Sequence, residues 1–160
     1  MALLFLGNGA VGICKSPDPE TWFQRNNEGT GAFGDVVYGR GIFVAVGHEP
    51  LGTIWSSPDG ADWTPASSGS TAALSGVTYG EWLFVATGSG GEILTSPDGT
   101  AWTRQGSGVT TATLSCAAYG AGMFVAGGSG GVFVRSLDGV SWEEFPTGSP
   151  SWFYGLAHGE

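Results

Sequence analysis

Four aspartates recur in one local setting and are the first residues of this chain to weigh for chemistry. Asp18, Asp59, Asp98 and Asp138 each follow a serine (Ser16, Ser57, Ser96, Ser136) by two positions. Each precedes a tryptophan (Trp22, Trp63, Trp102, Trp142) by four positions. Carboxylates repeated in this way could act as general acids or as metal ligands. The same residues also build a turn. Ser-x-Asp-Gly between two apolar runs reads as a hairpin connection. The carboxylate accepts backbone N–H bonds, while Gly60, Gly99 and Gly139 supply a positive φ without steric cost. Proline suits the fixed φ of an early turn position, and the tryptophan opens the return strand, where its ring fills the gap beneath the turn. The turn explains the serine, glycine and tryptophan as well as the aspartate, so it is the preferred reading. Ser16-Pro17-Asp18-Pro19 has proline in place of the glycine, and its turn must differ.

Other chemistries have weaker signals. Tyr38, Tyr79 and Tyr119 share one repeat position with His158, and a repeated residue points to packing before catalysis. Ser, His and Asp are all present, but no nucleophile-elbow sequence surrounds any serine. Gly88-Ser89-Gly90-Gly91 and Gly128-Ser129-Gly130-Gly131 are glycine-rich like phosphate loops, but they join two strands and lack lysine. Cys14 and Cys116 occupy non-equivalent positions and read as reduced thiols, and no Cys/His cluster has zinc spacing. No metal and no cofactor is expected.

The turns must sit on a regular scaffold. The four tryptophans recur about every forty residues, a period that with several short strands per unit is propeller-like. In the clearest unit, Gly76–Gly80 is a first strand and Leu83–Gly88 a second. Glu92–Ser96 is a third, and Trp102–Arg104 opens a short fourth. The second is almost wholly apolar, as a strand buried on both faces should be. The chain begins on a second strand, Leu3–Gly7, and ends on a first strand, Leu156–Glu160. The expected fold is therefore an all-β propeller of four-stranded antiparallel blades forming one domain, 1–160. Its blades are approximately 35–75, 76–115, 116–154, and 155–160 plus 1–34, with the last closed by strands from both chain ends. One chain could close a four-bladed ring as a monomer, or two chains could exchange end strands as a homodimer with an eight-bladed ring.

The repeated turn resembles the Asp-box (BNR) motif of sialidases and of photosystem-assembly-factor-like propellers. The resemblance implies that the turn is a structural feature at the blade rim, away from any catalytic centre. Sialidases need an arginine triad, a Tyr nucleophile with a Glu partner and an Asp acid. Here Arg25, Arg40, Arg104 and Arg135 occupy different places in their blades, so a glycoside hydrolase of sialidase type is the least favoured alternative and the chain is expected not to be an enzyme. The photosystem-assembly propellers have more blades and use basic patches.

Thirty glycines suit many tight turns, and five Lys or Arg against fourteen Asp or Glu give a net charge of −9. That charge disfavours nucleic acid and anionic membranes and suits a cationic partner. No signal peptide or membrane span is evident, so a cytoplasmic or virion-associated location is expected. The copies differ most in the second-to-third-strand loops and the inter-blade links, which emerge on one end of a propeller. There, His48, Glu49, Phe33, Trp152 and Phe153 are the candidate contacts for a protein partner or, alternatively, a carbohydrate. Trp82 is a further candidate, in an opposite-end turn where the other copies have Gly41 and Gly122. The function expected is a non-catalytic binding or scaffold module, with a phage or virion structural component as one form of it.

Overall fold

The computed structural model describes residues 3–6, 13–16, 23–25, 32–49 and 51–158. They form antiparallel sheets in chain order. β1 (Leu3–Leu6), β2 (Ile13–Ser16) and β3 (Phe23–Arg25) make a three-stranded sheet. β4 (Ala32–Gly39), β5 (Ile42–Glu49), β6 (Thr53–Ser57) and β7 (Thr64–Ala66) make the first four-stranded sheet. β8 (Leu74–Gly80), β9 (Leu83–Gly88), β10 (Ile93–Ser96) and β11 (Thr103–Arg104) make the second. β12 (Leu114–Gly120), β13 (Met123–Gly128), β14 (Val132–Ser136) and β15 (Glu143–Pro146) make the third. Each is a meander in which every strand pairs with the one before it. The first strands lie side by side, β4 beside β8 and β8 beside β12.

The two-sided burial expected of the second strands is present. Phe84 and Ala86 join Val44, Val46, Ile54 and Leu74 in one core between the first two four-stranded sheets. Val85, from the opposite face of the same strand, joins Phe124, Leu114 and Trp142 in the next. Alternation along β9 thus supplies both interfaces. Each fully buried side chain of this size contributes on the order of 1.5–3 kcal/mol of transfer free energy.

Three features draw neighbouring sheets close. A Cβ on Gly76 would lie 2.9 Å from the Ala117 nitrogen, so only glycine fits there. The Asp35 carboxylate accepts hydrogen bonds from its neighbour Val36 N (2.8 Å) and, across to the next sheet, from Val77 N (2.9 Å). The Tyr79 ring occupies the space a side chain on Gly39 would need, and Tyr119 does the same at Gly80. Within each sheet the tyrosine packs on the facing phenylalanine, with centroids 4.6 Å apart for Tyr38–Phe43 and Tyr79–Phe84 and 4.7 Å for Tyr119–Phe124. The repeated tyrosines are packing residues.

The closing blade is not seen among the described residues, where Leu156–His158 forms no strand and β1 is paired with β2 alone. Residues 159 and 160 lie outside the described set, as do 17–22, which hold most of the degraded turn. The physical reason is that β structure needs a hydrogen-bonding partner along its edge, and the described residues bring none to this segment. Its path still follows the repeat, because His158 sits against Gly120 as Tyr119 sits against Gly80.

Thr87 Oγ1 is buried with no hydrogen-bond partner. The aligned position in the first four-stranded sheet is Val46, buried in its core. Thr87→Val should therefore raise stability by about 1 kcal/mol, read as a higher urea midpoint at unchanged slope.

Candidate binding surface

The repeated aspartates act in their own turns. In the second four-stranded sheet Ser96 Oγ accepts from Gly99 N (2.8 Å) and donates to Asp98 (3.1 Å). Asp98 Oδ1 accepts from Thr100 N (2.8 Å) and Ala101 N (3.0 Å). The turns at Ser57 and Ser136 repeat this pattern. Trp63, Trp102 and Trp142 each donate Nε1–H to the turn glycine carbonyl, at 3.3, 3.2 and 3.0 Å. The Asp98 and Asp138 carboxyls are held down to about 2, first by the backbone N–H bonds of Ala101 and Ser141 respectively. A carboxylate with its acceptor sites filled by backbone donors is a turn anchor. The serine beneath it, Ser96, is fully buried.

The glycine-rich loops are likewise joints. Ser89–Gly91 and Ser129–Gly131 are single 3-10 turns. Ser89 Oγ accepts from Ala73 N and Ser129 Oγ from Thr113 N. Gly91 N donates to Ala112 O on the following inter-blade link, at 2.8 Å. In the first four-stranded sheet Gly52 N makes the same bond to Ala72 O at 2.7 Å, although the loop before it is different. His48 and Glu49 end β5, just before that loop, and are exposed.

The remaining candidates separate into two groups. Phe33 packs into a core with Ala45 and Trp63. Phe153 packs edge-on against Phe133 with centroids 4.6 Å apart. Both are half-buried, with their rings turned onto neighbouring side chains. Trp152 is 53% exposed and stacks on Tyr154, itself 76% exposed, at 5.9 Å and 24°. Tyr154 was not singled out from the sequence. The signal was period-two alternation in Trp152-Phe153-Tyr154, since extended chain sends the outer two rings one way and the middle ring the other. His48, Glu49 and Trp152 thus lie at the end carrying the second-to-third-strand loops and inter-blade links.

Trp82 stands at the other end, 73% exposed, with φ 65°. A bulky residue in this left-handed region is strained, and the aligned Gly41 and Gly122 adopt it freely. Nearby, the Tyr119 hydroxyl donates to Glu81 at 2.7 Å, a bond that pushes the phenol pKa up.

Three arginines lie in different settings. Arg104 pairs with buried Glu92 at 2.8 Å, and Arg135 pairs with Glu143 at 2.7 Å beneath the Phe145 ring. Arg40 lies in the β4–β5 turn. Cys116 donates to Gly127 O (3.3 Å), and burial pushes its thiol pKa up, away from thiolate reactivity. Among the described residues no helix is long and apolar enough to cross a membrane.

Meandering four-stranded sheets packed face on face around adjacent first strands define the β-propeller class. No protein-family model and no curated protein sequence matches the chain. Solved structures do. YCF48 from Cyanidioschyzon merolae is 18% identical with a TM-score of 0.61, over 77% of this chain and 39% of that one. A YCF48 bound to D1 peptide is 17% identical with a TM-score of 0.68, over 92% and 52%. The computationally designed Ika8 protein is 12% identical with a TM-score of 0.67, over 98% and 52%. The chain thus spans about half the length of these propellers or less, and the likeness is one of fold.

Two predictions follow from the turns. The unfolded chain holds protons on Asp98 and Asp138 up to about pH 4, whereas the folded carboxyls release them down to about 2. Their stabilisation is complete above about pH 4 and is lost as pH falls towards 2. Urea midpoints should drop across that window, less steeply for Asp98→Asn, which keeps the acceptor without the charge. Trp82→Gly should relieve the left-handed strain and raise the unfolding free energy by about 0.5–1 kcal/mol, net of glycine's greater unfolded freedom, read as a higher urea midpoint.

Proposed function

We propose that this chain is a non-catalytic binding or scaffold propeller that recognises a protein partner through the end carrying His48, Glu49 and Trp152. The observation that carries this reading is the stacked, exposed Trp152–Tyr154 pair. Large rings ordered before binding lose little conformational freedom on contact and are typical anchors. The solved structure of YCF48 with D1 peptide is consistent with peptide recognition by a propeller of this form. A net charge of −9 favours a basic segment as the ligand. In this reading the Ser-x-Asp-Gly turns are Asp-boxes of the BNR type, serving as rim structure. Such a module suits an assembly role, and a phage or virion component is one setting in which an acidic, compact binding propeller serves.

An exposed stacked aromatic pair also suits a sugar ring, so carbohydrate binding is the second reading. Panning the full chain against a random peptide display library, alongside a glycan array, separates the two. Basic peptides should be recovered. Trp152→Ala should weaken them at least tenfold, about 1.4 kcal/mol, with the melting temperature unchanged. Glycan binding without peptide binding, or affinity indifferent to Trp152→Ala, rejects the protein-recognition reading.

A further inference from the structure

The end of the molecule opposite Trp152 departs from its own repeat in one place. In an antiparallel meander the first-to-second-strand turn and the Ser-x-Asp-Gly turn emerge at the same end. There they meet across neighbouring sheets. A Cβ on Gly139 would lie 2.5 Å from Leu83 Cδ2, so the turn of the third four-stranded sheet rests on the residue that follows Trp82. Trp82 stands where the aligned residues are Gly41 and Gly122. Leu137 stands where they are Pro58 and Pro97, and Val140 where they are Ala61 and Thr100. Each change adds apolar surface to the rim. Trp82 and Leu137 are both 73% exposed, and Val140 is 51% exposed.

Packing does not account for these side chains. Trp82 belongs to the sheet that has a four-stranded neighbour on each side, so no missing neighbour leaves it bare. Pro58 and Pro97 are exposed too, in sheets that a following sheet covers, so exposure belongs to the position itself. Trp82 also keeps φ at 65°, a left-handed backbone that costs a bulky residue and not its glycine counterparts. A large ring held in strained backbone and in water, beside two more exposed apolar side chains, serves contact and not folding.

The charges around the patch are mostly acidic. Glu81 directly precedes Trp82, and Asp138 directly follows Leu137. Asp59 and Asp98 hold the corresponding turns of the preceding sheets. The backbone N–H bonds to Asp98 and Asp138 keep both carboxyls ionised at neutral pH. Glu81 accepts only the uncharged Tyr119 hydroxyl, which leaves its charge unpaired by a cation. Arg40 is the one cation in these turns among the described residues. Lys and Arg are drawn to such a surface by its charge and by the face of the Trp82 indole.

We propose that Trp82, Leu137 and Val140 form a second docking surface, which takes a protein segment carrying apolar side chains flanked by Lys or Arg. With the Trp152 surface at the opposite end, one propeller can hold two partners at once.

Each departure can be reversed to a residue the scaffold already carries at that position. Trp82→Gly, Leu137→Pro and Val140→Thr together should leave the melting temperature unchanged or higher. Peptides are selected from a random display library on the Trp152→Ala chain, after depletion on that chain carrying the three reversals. They should combine apolar residues with Lys or Arg. The reversals should weaken each peptide about tenfold or more, with Trp82→Gly alone giving most of the loss. Recovery of no peptide, of acidic peptides, or of peptides indifferent to the reversals overturns the proposal. Sedimentation with phosphatidylserine vesicles that depends on Trp82 also overturns it, because the patch then serves a membrane. Should the triple variant melt lower, Trp82→Gly and Leu137→Ser are tested singly against the same peptides. Trp152 is already replaced in every arm, so this proposal and the function above fail separately.

Discussion

Close approach of a turn to the preceding sheet is the constraint on which this fold depends. Gly99 presses against Ile42 and Val44, and Gly139 against Leu83, at distances that leave no room for a Cβ. A turn held that tightly buries the N–H of its glycine, while the next two N–H groups stay at the exposed rim. The buried N–H must be satisfied from within, as Ser96 and Ser136 do from beneath, while Asp98 and Asp138 collect the rim N–H groups from outside. The tryptophan indole then bonds the glycine carbonyl and closes the gap under the turn. Four residue types at fixed spacing are therefore one device. The second and third four-stranded sheets need it because each lies on the one before.

That device made the architecture legible. The apolar run of β9 announces burial on both faces, and the spacing of the tryptophans announces the repeat. The site was less legible. Phe33 and Phe153 share a repeat position with buried Leu74 and Leu114, and the alignment alone turned them inward, to half-burial; their location in variable links masked this. Tyr154 was readable from alternation next to Trp152. The strain at Trp82 was half visible, as a tryptophan where its counterparts are glycines, but the left-handed backbone at Glu81 and Trp82 had to be seen in the structure. The strand expected at 156–160 went astray for a different reason. Sequence pattern reports the propensity of a segment, whereas a strand exists only where a partner edge meets it.

The division between joint and surface follows from the same hydrogen-bond accounting. Gly52 and Gly91 carry equivalent bonds to the following link even though the preceding loops are unrelated in sequence. The joint is thus independent of the loop that precedes it. His48 and Glu49 are free to vary because Gly52, and not they, ties the sheet to its neighbour. A surface decoupled in this way can acquire binding residues at little cost in stability, which is the physical basis for seeking function there.

The buried ion pair shows where the repeat itself has been individualised. Glu92 is almost wholly buried, yet it holds both Arg104 and the Ser70 hydroxyl at 2.8 Å. Ser70 lies on the link that enters the second four-stranded sheet, and Arg104 on that sheet's last strand. One carboxylate therefore clamps the link to the sheet's outer edge. Its counterparts are Thr53 and Val132, so the other sheets do without the clamp. An unpaired buried carboxylate is costly, and the arrangement persists only because both partners are in place. Sheets that share a backbone plan are thus fastened by different side chains, and identity at repeat positions understates how alike their structures are.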